Sequence, residues 1–213
     1  MDIDAFNTSL VGRLASIVML PDTPVKAAWL EAFSRWVDNG YKVTEGTGPC
    51  FKSDGTVFHH RRHYPAYAVD GFSGGAVNAV WLLSKTQFAV SAESHAVLKR
   101  ALLEMRFYCN LRSFPLALSG RHPDGRGELV PWHYARLAVA GTPGRGEIDP
   151  ELAAAYLRVA QGKDAYTRLF AEKGFAPEPS PAGNRVYGYN ASVSHRRADW
   201  LVTVAGHSRY LWS

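Results

Sequence analysis

The sequence has little cysteine: Cys50 and Cys109 are the two in 213 residues. Two thiols exclude a disulfide-built scaffold and a four-cysteine zinc site. A single disulfide stays open, and two buried thiols are the simpler reading. Long apolar runs are also missing; the longest is only a few residues, which excludes a membrane-spanning helix. No charged start followed by an apolar stretch and a cleavage site opens the chain, so no signal peptide is read. No internal repeat is visible. What is there is 23.5 kDa of protein with 46% hydrophobic and 20% charged residues. That composition belongs to neither a disordered tail nor a fibre, and the length suits one large domain or two small ones.

The charge is uneven. Lys and Arg exceed Asp and Glu by 24 − 19 = 5. Between His59 and Arg136 stand ten Lys/Arg and five Asp/Glu, so this third of the chain carries the whole excess. Such a field suits an anionic partner: nucleic acid, acidic polysaccharide or phosphate. A solvated basic face would give the same count.

Periodicity makes the first part helical. Phe6, Leu10, Leu14 and Ile17 recur at helix spacing, then Pro21 to Pro24 breaks the pattern, with Asp22 or Thr23 as N-cap. Val25, Trp29, Phe33 and Trp36 form a second stripe that ends at Asn39-Gly40. Residues 44–57 read as loop. Further helices are predicted over 72–84, 91–109, 128–140, 149–161 and 163–173. Residues 174–185, with three prolines and two glycines, read as a linker. Beyond it, 186–194 and 200–205 read as strands joined by a turn at Arg197-Ala198-Asp199, and 207–213 as the start of a third. Two or three strands alone are marginal. The expectation is a helical domain over 1–173, a linker over 174–185, and the opening of a β domain over 186–213.

Chemistry concentrates in His59-His60-Arg61-Arg62-His63-Tyr64-Pro65-Ala66-Tyr67. His59 and His63 have the i, i+4 spacing of a zinc pair, but two arginines lie between them and Pro65 opposes a continuing helix, so no metal is expected. The other reading is acid–base work on an anion. A tyrosine among Arg and protonated His has its phenolate favoured, so its pKa is expected to fall. It could then remove a proton and return it. Tyr64 reads as a packed ring with its hydroxyl hydrogen-bonded. A second segment, Leu118-Ser119-Gly120-Arg121-His122-Pro123, offers an arginine fork for a carboxylate or sulfate.

The run Asp54-Gly55-Thr56, His60, Tyr64-Pro65-Ala66-Tyr67, followed 61 residues after His60 by Gly120-Arg121-His122-Pro123, resembles polysaccharide lyase family 8, of the chondroitin ABC lyase type within the chondroitin AC, hyaluronate and xanthan lyase group. Leu82 to Val90 resembles that family's leucine-rich helix end and loop. Tyr187-Gly188-Tyr189-Asn190 and Arg209 to Ser213 resemble the first strands of its β-sandwich.

The resemblance implies a mainly α fold: an incomplete α/α toroid segment followed by the first strands of an antiparallel β-sandwich. It implies β-elimination on uronic-acid-containing glycosaminoglycans such as chondroitin or dermatan sulfate or hyaluronan, without a cofactor. Carried over by position, Tyr67 is the general base and acid, His60 the active-site histidine, and Arg121 the arginine that holds the tyrosine and the leaving oxygen. His59, Arg61, His63, Tyr64 and His122 are expected to contact substrate. The partner expected is an acidic polysaccharide, with no nucleic acid and no membrane. The location expected is secreted or periplasmic. The family's catalytic glutamate follows a Trp-Ser pair, and the sequence ends at Trp212-Ser213; a fragment is therefore expected, with the rest of the sandwich in a longer parent. A non-catalytic glycosaminoglycan-binding module on the same scaffold is the alternative. A nucleic-acid-binding helical domain fits less well, because no such motif is found.

Overall fold

The structure is a computed structural model that describes residues 1–213 except Arg121, Pro123, Arg126, Ala198, Trp212 and Ser213. The fold is mainly α, with two small antiparallel sheets of three strands each. The helices are α1 (Ile3–Thr8), α2 (Leu10–Val18), α3 (Pro24–Gly40), α4 (Pro65–Gly71), α5 (Val77–Leu83), α6 (Ala92–Tyr108), α7 (Pro131–Ala140), α8 (Pro150–Ala160) and α9 (Ala165–Glu172).

Local chemistry sets their starts. Pro stands in the first turn of α3, α4, α7 and α8, where its missing N–H has no helical partner to lose. Asp2, Ser91, Asp149 and Asp164 cap α1, α6, α8 and α9 by accepting first-turn N–H groups. Pro65 therefore begins a helix rather than ending one. Between α4 and α5 the chain widens into a π-turn over Phe72–Ala76. A Cβ on Gly74 would lie 2.5 Å from the Asn7 carbonyl oxygen, and one on Gly75 2.5 Å from that of Phe6. Only glycine lets α1 approach this closely.

The core is aromatic where these elements meet. Phe6, Tyr41, Phe51 and Phe72 are all buried, with Phe6 5.2 Å from Tyr41 and 6.1 Å from Phe51, and Phe51 stacked 6.1 Å from Phe72. The buried Tyr41 hydroxyl donates to the Ala76 carbonyl at 2.6 Å, and Tyr134 likewise to Leu102 at 2.6 Å, so neither ring buries an unpaired polar end. Cys50 and Cys109 are both free and buried, and burial pushes the Cys50 thiol up to about 12.

The strands correct the sequence reading in three places. The first sheet lies inside the helical part: β1 (Cys50–Phe51), β2 (Val57–His59) and β3 (Arg62–His63) pair in the order β1-β2-β3. These strands are two or three residues long, too short to show alternation. The predicted strand 186–194 is two strands, β4 (Gly183–Tyr187) and β5 (Ser192–Arg197), which fold back on each other through a 3-10 turn at Gly188–Asn190. β4 also begins inside the predicted linker. β6 (Trp200–Ala205) completes the sheet, and residues 207–211 form no strand.

One face of this second sheet is inward. Arg196, 6% exposed, donates to the carbonyls of Phe107 at 3.0 Å and Pro181 at 3.1 Å, and also to that of Cys109. These bonds hold β5 on the C-terminal end of α6. The other face presents Val186, Trp200, Val202 and Val204, each about half exposed or more.

Candidate active site

The candidate site is built on the β2–β3 hairpin and the first turn of α4. His59 pairs with Arg62 across the hairpin, so His60 and Arg61 are its two turn residues. Both have positive φ, 50° and 64°, as a two-residue hairpin of this hand requires. Neither is the glycine or asparagine usually found there. The turn holds His60 and Arg61 out in solvent.

Strand alternation then sorts the side chains. Phe58 is fully buried, while His59 points to the open side and is half-buried. There its ring stacks on Tyr67 at 4.2 Å with 25° between planes, and the His60 ring lies 3.9 Å from it on another side. Tyr67, in the first turn of α4, is also half-buried. The three rings His60, His59 and Tyr67 thus form a row along one wall. Tyr64 sits behind it, 6.3 Å from His59 and 6.0 Å from Tyr67.

The second sequence segment comes to the same place. His122 is 6.2 Å from Tyr64. Gly120 has φ +67°, and a Cβ there would lie 2.8 Å from the Tyr64 ring. Gly120 is therefore the residue whose lack of a side chain lets the backbone there lie against the Tyr64 ring. Arg121 lies outside the described residues.

Two expected substrate contacts, His63 and Tyr64, are placed differently from the sequence reading. His63 is fully buried; its Nδ1 lies 3.1 Å from both the N–H and the carbonyl oxygen of Val57, and its ring meets Tyr108 edge-on at 5.0 Å. Burial pulls its pKa down to about 4, so it is neutral at physiological pH. Tyr64 is 3% exposed, and its hydroxyl has no hydrogen-bond partner among the described residues. The packed ring is as expected; the hydrogen bond expected for its hydroxyl is not found. Arg61 is exposed as expected, but its neighbour Arg62 is 4% exposed and points inward.

The charge around Tyr67 also overturns an expectation. Its hydroxyl donates to the Asp4 carboxylate of α1. That bond, followed by partial burial, raises the Tyr67 pKa rather than lowering it; Asn7 acts in the opposite sense and Asp70 in the same sense as Asp4. Proximity in sequence placed arginines beside Tyr67, but the turn turns Arg61 outward and Arg62 inward. The carboxylate 63 residues upstream reaches the hydroxyl instead. Asp4 gave no signal in the sequence beyond that of an acidic residue in a helix's first turn, which the helix dipole already explains.

The C-terminal sheet supports the hairpin. The His63 N–H donates to Asn190 Oδ1 at 3.1 Å, and Asn190 Nδ2 donates to Ser192 Oγ at 3.2 Å. Tyr189 bonds to Glu45 at 2.9 Å and lies 3.2 Å from Ser53 Oγ. The Tyr187-Gly188-Tyr189-Asn190 motif is thus a clasp between the second sheet and the strand-and-turn segment that carries His59 and His60.

Residues 1–166 match the protein family described as "Lyase, catalytic". A chondroitin sulfate ABC exolyase of Bacteroides thetaiotaomicron is 48% identical over 234 residues, covering all of this chain and 23% of that protein. A chondroitin sulfate ABC exolyase of Proteus vulgaris is 36% identical over 218 residues, with 99% and 21% covered, and a chondroitin sulfate ABC endolyase of the same organism is 29% identical over 216 residues, with 100% and 21% covered. The chain thus spans between a fifth and a quarter of the length of these relatives. The match over most of its length, including the hairpin and the helix α4 that form the His60–His59–Tyr67 row, shows that the chain belongs to the catalytic-domain family of the polysaccharide lyases.

Proposed function

We propose that this chain carries proton-transfer residues of a glycosaminoglycan lyase, with Tyr67 as general base and acid on a uronate sugar. The substrates proposed are chondroitin sulfate, which the relatives' names print, and dermatan sulfate and hyaluronan, which present the same uronate chemistry. The observation that carries the reading is the row of His60, His59 and Tyr67 rings in contact on a partly open wall, inside the matched lyase region.

The chemistry asks for these residue types. Removing the proton from C5 of a uronate pushes charge into a group that already bears a carboxylate. Cationic or hydrogen-bonding groups must first stabilise that charge. In this reading His60 faces the uronate carboxylate from the exposed turn, and His59 holds the Tyr67 ring by stacking. Arg121 is proposed to hold the leaving-group oxygen, and His122 and Arg61 to contact the polyanion. Tyr67 takes the C5 proton and protonates O4 as it leaves. We further propose the toroid-and-sandwich arrangement, with the helical unit over 1–173, and a secreted or periplasmic location.

The test is an assay on the longest natural polypeptide that carries this chain, with chondroitin sulfate, dermatan sulfate and hyaluronan as substrates. New reducing ends accompanied by the near-ultraviolet absorbance of a C4–C5 double bond are expected. Reducing ends without that absorbance mean hydrolysis and reject the reading. Binding of these polymers without any turnover also rejects it, in favour of a polyanion-binding module.

A further inference from the structure

Asp4 and Tyr67 are brought together by a packing device, not by local sequence. α1 lies against α4 and the π-turn that follows, and the glycines at 74 and 75 let its backbone come within contact distance. Asp2 caps α1 at 3.1 Å from the Ala5 N–H and so fixes its first turn, where Asp4 stands. The Tyr67 hydroxyl donates to Asp4 Oδ1. Among the described residues, the other groups around Tyr67 are Asn7 on α1, Asp70 on its own helix, His59 stacked on the ring with His60 beyond it, and Tyr64.

We propose that Asp4 is the positioning residue of Tyr67: its carboxylate holds the phenol and accepts the phenol's proton as the Tyr67 oxygen takes the proton from C5. The proposal rests on the reading of Tyr67 as base. It meets a difficulty in that reading. A phenol whose pKa is raised by a neighbouring carboxylate is scarcely ionised near neutrality. A proton acceptor already in place removes the need for prior ionisation.

The step balances. The C5–H bond breaks and its electron pair becomes the C4–C5 double bond, while the C4–O4 bond breaks with its pair on O4. The C5 proton bonds to the Tyr67 oxygen, whose own proton passes to Asp4. Tyr67 then protonates O4, and Asp4 returns its proton to Tyr67. Both side chains end as they began. A carboxylate of reference pKa about 3.9 does not take a proton from a resting phenol of about 10. Transfer therefore occurs only together with arrival of the C5 proton.

The first test needs no turnover. The phenolate absorbance of this chain is titrated against that of Tyr67→Phe, so the difference reports Tyr67 alone, and the pair is repeated with Asp4→Asn. Asparagine keeps an acceptor at the same place but carries no charge. The Tyr67 phenolate is expected at lower pH in the Asp4→Asn background; an unmoved titration overturns the proposal. The second test is kinetic, on the longest natural polypeptide that carries the chain. Asp4→Asn is expected to lower kcat by about 10²-fold or more with KM nearly unchanged, and Asp4→Glu to recover about tenfold or more of the loss. If Asp4→Asn keeps the parent kcat while Tyr67→Phe abolishes turnover, the role of Asp4 is wrong and that of Tyr67 stands. If Tyr67→Phe itself turns over like the parent, the underlying reading falls.

Discussion

His63 and Asn190, 127 residues apart, are joined by a bond from the His63 backbone N–H to Asn190 Oδ1 at 3.1 Å, with both residues buried. This bond couples the second sheet to the β2–β3 hairpin that displays His59 and His60. Removing the acceptor leaves a buried N–H unpaired, which costs about 1–3 kcal/mol. Asn190→Ala is therefore expected to lower the unfolding free energy by that amount, read from chemical denaturation. In a limited-proteolysis time course, cleavage near Arg61 and Arg62 is expected to speed up. Unchanged stability and unchanged cleavage would show that the clasp does not hold the hairpin.

Gly120 tests the close approach of its backbone to the Tyr64 ring. An alanine there meets two penalties: a left-handed backbone, costing about 1–2 kcal/mol, and a methyl group 2.8 Å from a ring that is itself buried. Overpacking of this kind costs about 1–3 kcal/mol. Gly120→Ala is expected to destabilise the chain by the sum of the two, about 2–5 kcal/mol, read by chemical denaturation. Gly144, also left-handed at φ +83° but with nothing within 4 Å of a built Cβ, provides the control. Gly144→Ala should cost the backbone part alone. Equal losses at the two sites would mean that contact with Tyr64 contributes nothing.

Tyr67→Phe keeps the ring that stacks on His59 and removes the group that bonds to Asp4. In the longest natural polypeptide carrying the chain, kcat should fall by about 10²–10⁴-fold with substrate binding largely kept. Equilibrium binding to an immobilised polymer, measured beside turnover, separates the two. Parent-like turnover would remove Tyr67 from the mechanism.

The long helices were legible because each carries several turns of an apolar stripe and a chemical start or stop. Predicted 91–109 is α6, Ala92–Tyr108, capped by Ser91; the stripe from Val25 to Trp36 is α3, ended at Gly40. The hairpin was not legible, since its strands are two or three residues long and its turn uses His60 and Arg61 at positive φ instead of Asn-Gly. The break at Gly188–Asn190 was missed because its residues, between two strand-like runs, also suit a strand. Within the site, the His60–His59–Tyr67 row was within reach of sequence reasoning, as the three lie eight residues apart at most. The partner of the Tyr67 hydroxyl was not. Asp4 is set there by the packing of α1 on α4, a tertiary relation that no local pattern encodes.

The buried histidines set the acid response of the fold. Burial pulls His63 down to about 4; burial, then the nearby Arg136 charge, pulls His133 down to about 3. In the unfolded chain both return to about 6.5. Between these values the unfolded state binds more protons than the native state, so stability rises with pH through that window. The stabilising contribution is fully present above about pH 6.5. It is lost progressively as pH falls towards 4 for His63 and towards 3 for His133. Displacements of about 2.5 and 3.5 pH units correspond to roughly 3–5 kcal/mol for each group, which is a large share of the stability of an ordinary domain. His133 also touches the π-turn: its Nε2 lies 2.9 Å from Ser73 Oγ, in the turn against which α1 and Asp4 are seated. Urea denaturation at a series of pH values from about 7 to about 4 is expected to show a steep fall in stability. His63→Gln removes one of these titrating groups. That variant should be less stable than the parent at neutral pH but lose less on acidification, so that the two curves converge. Parallel curves would assign the acid sensitivity to groups other than His63.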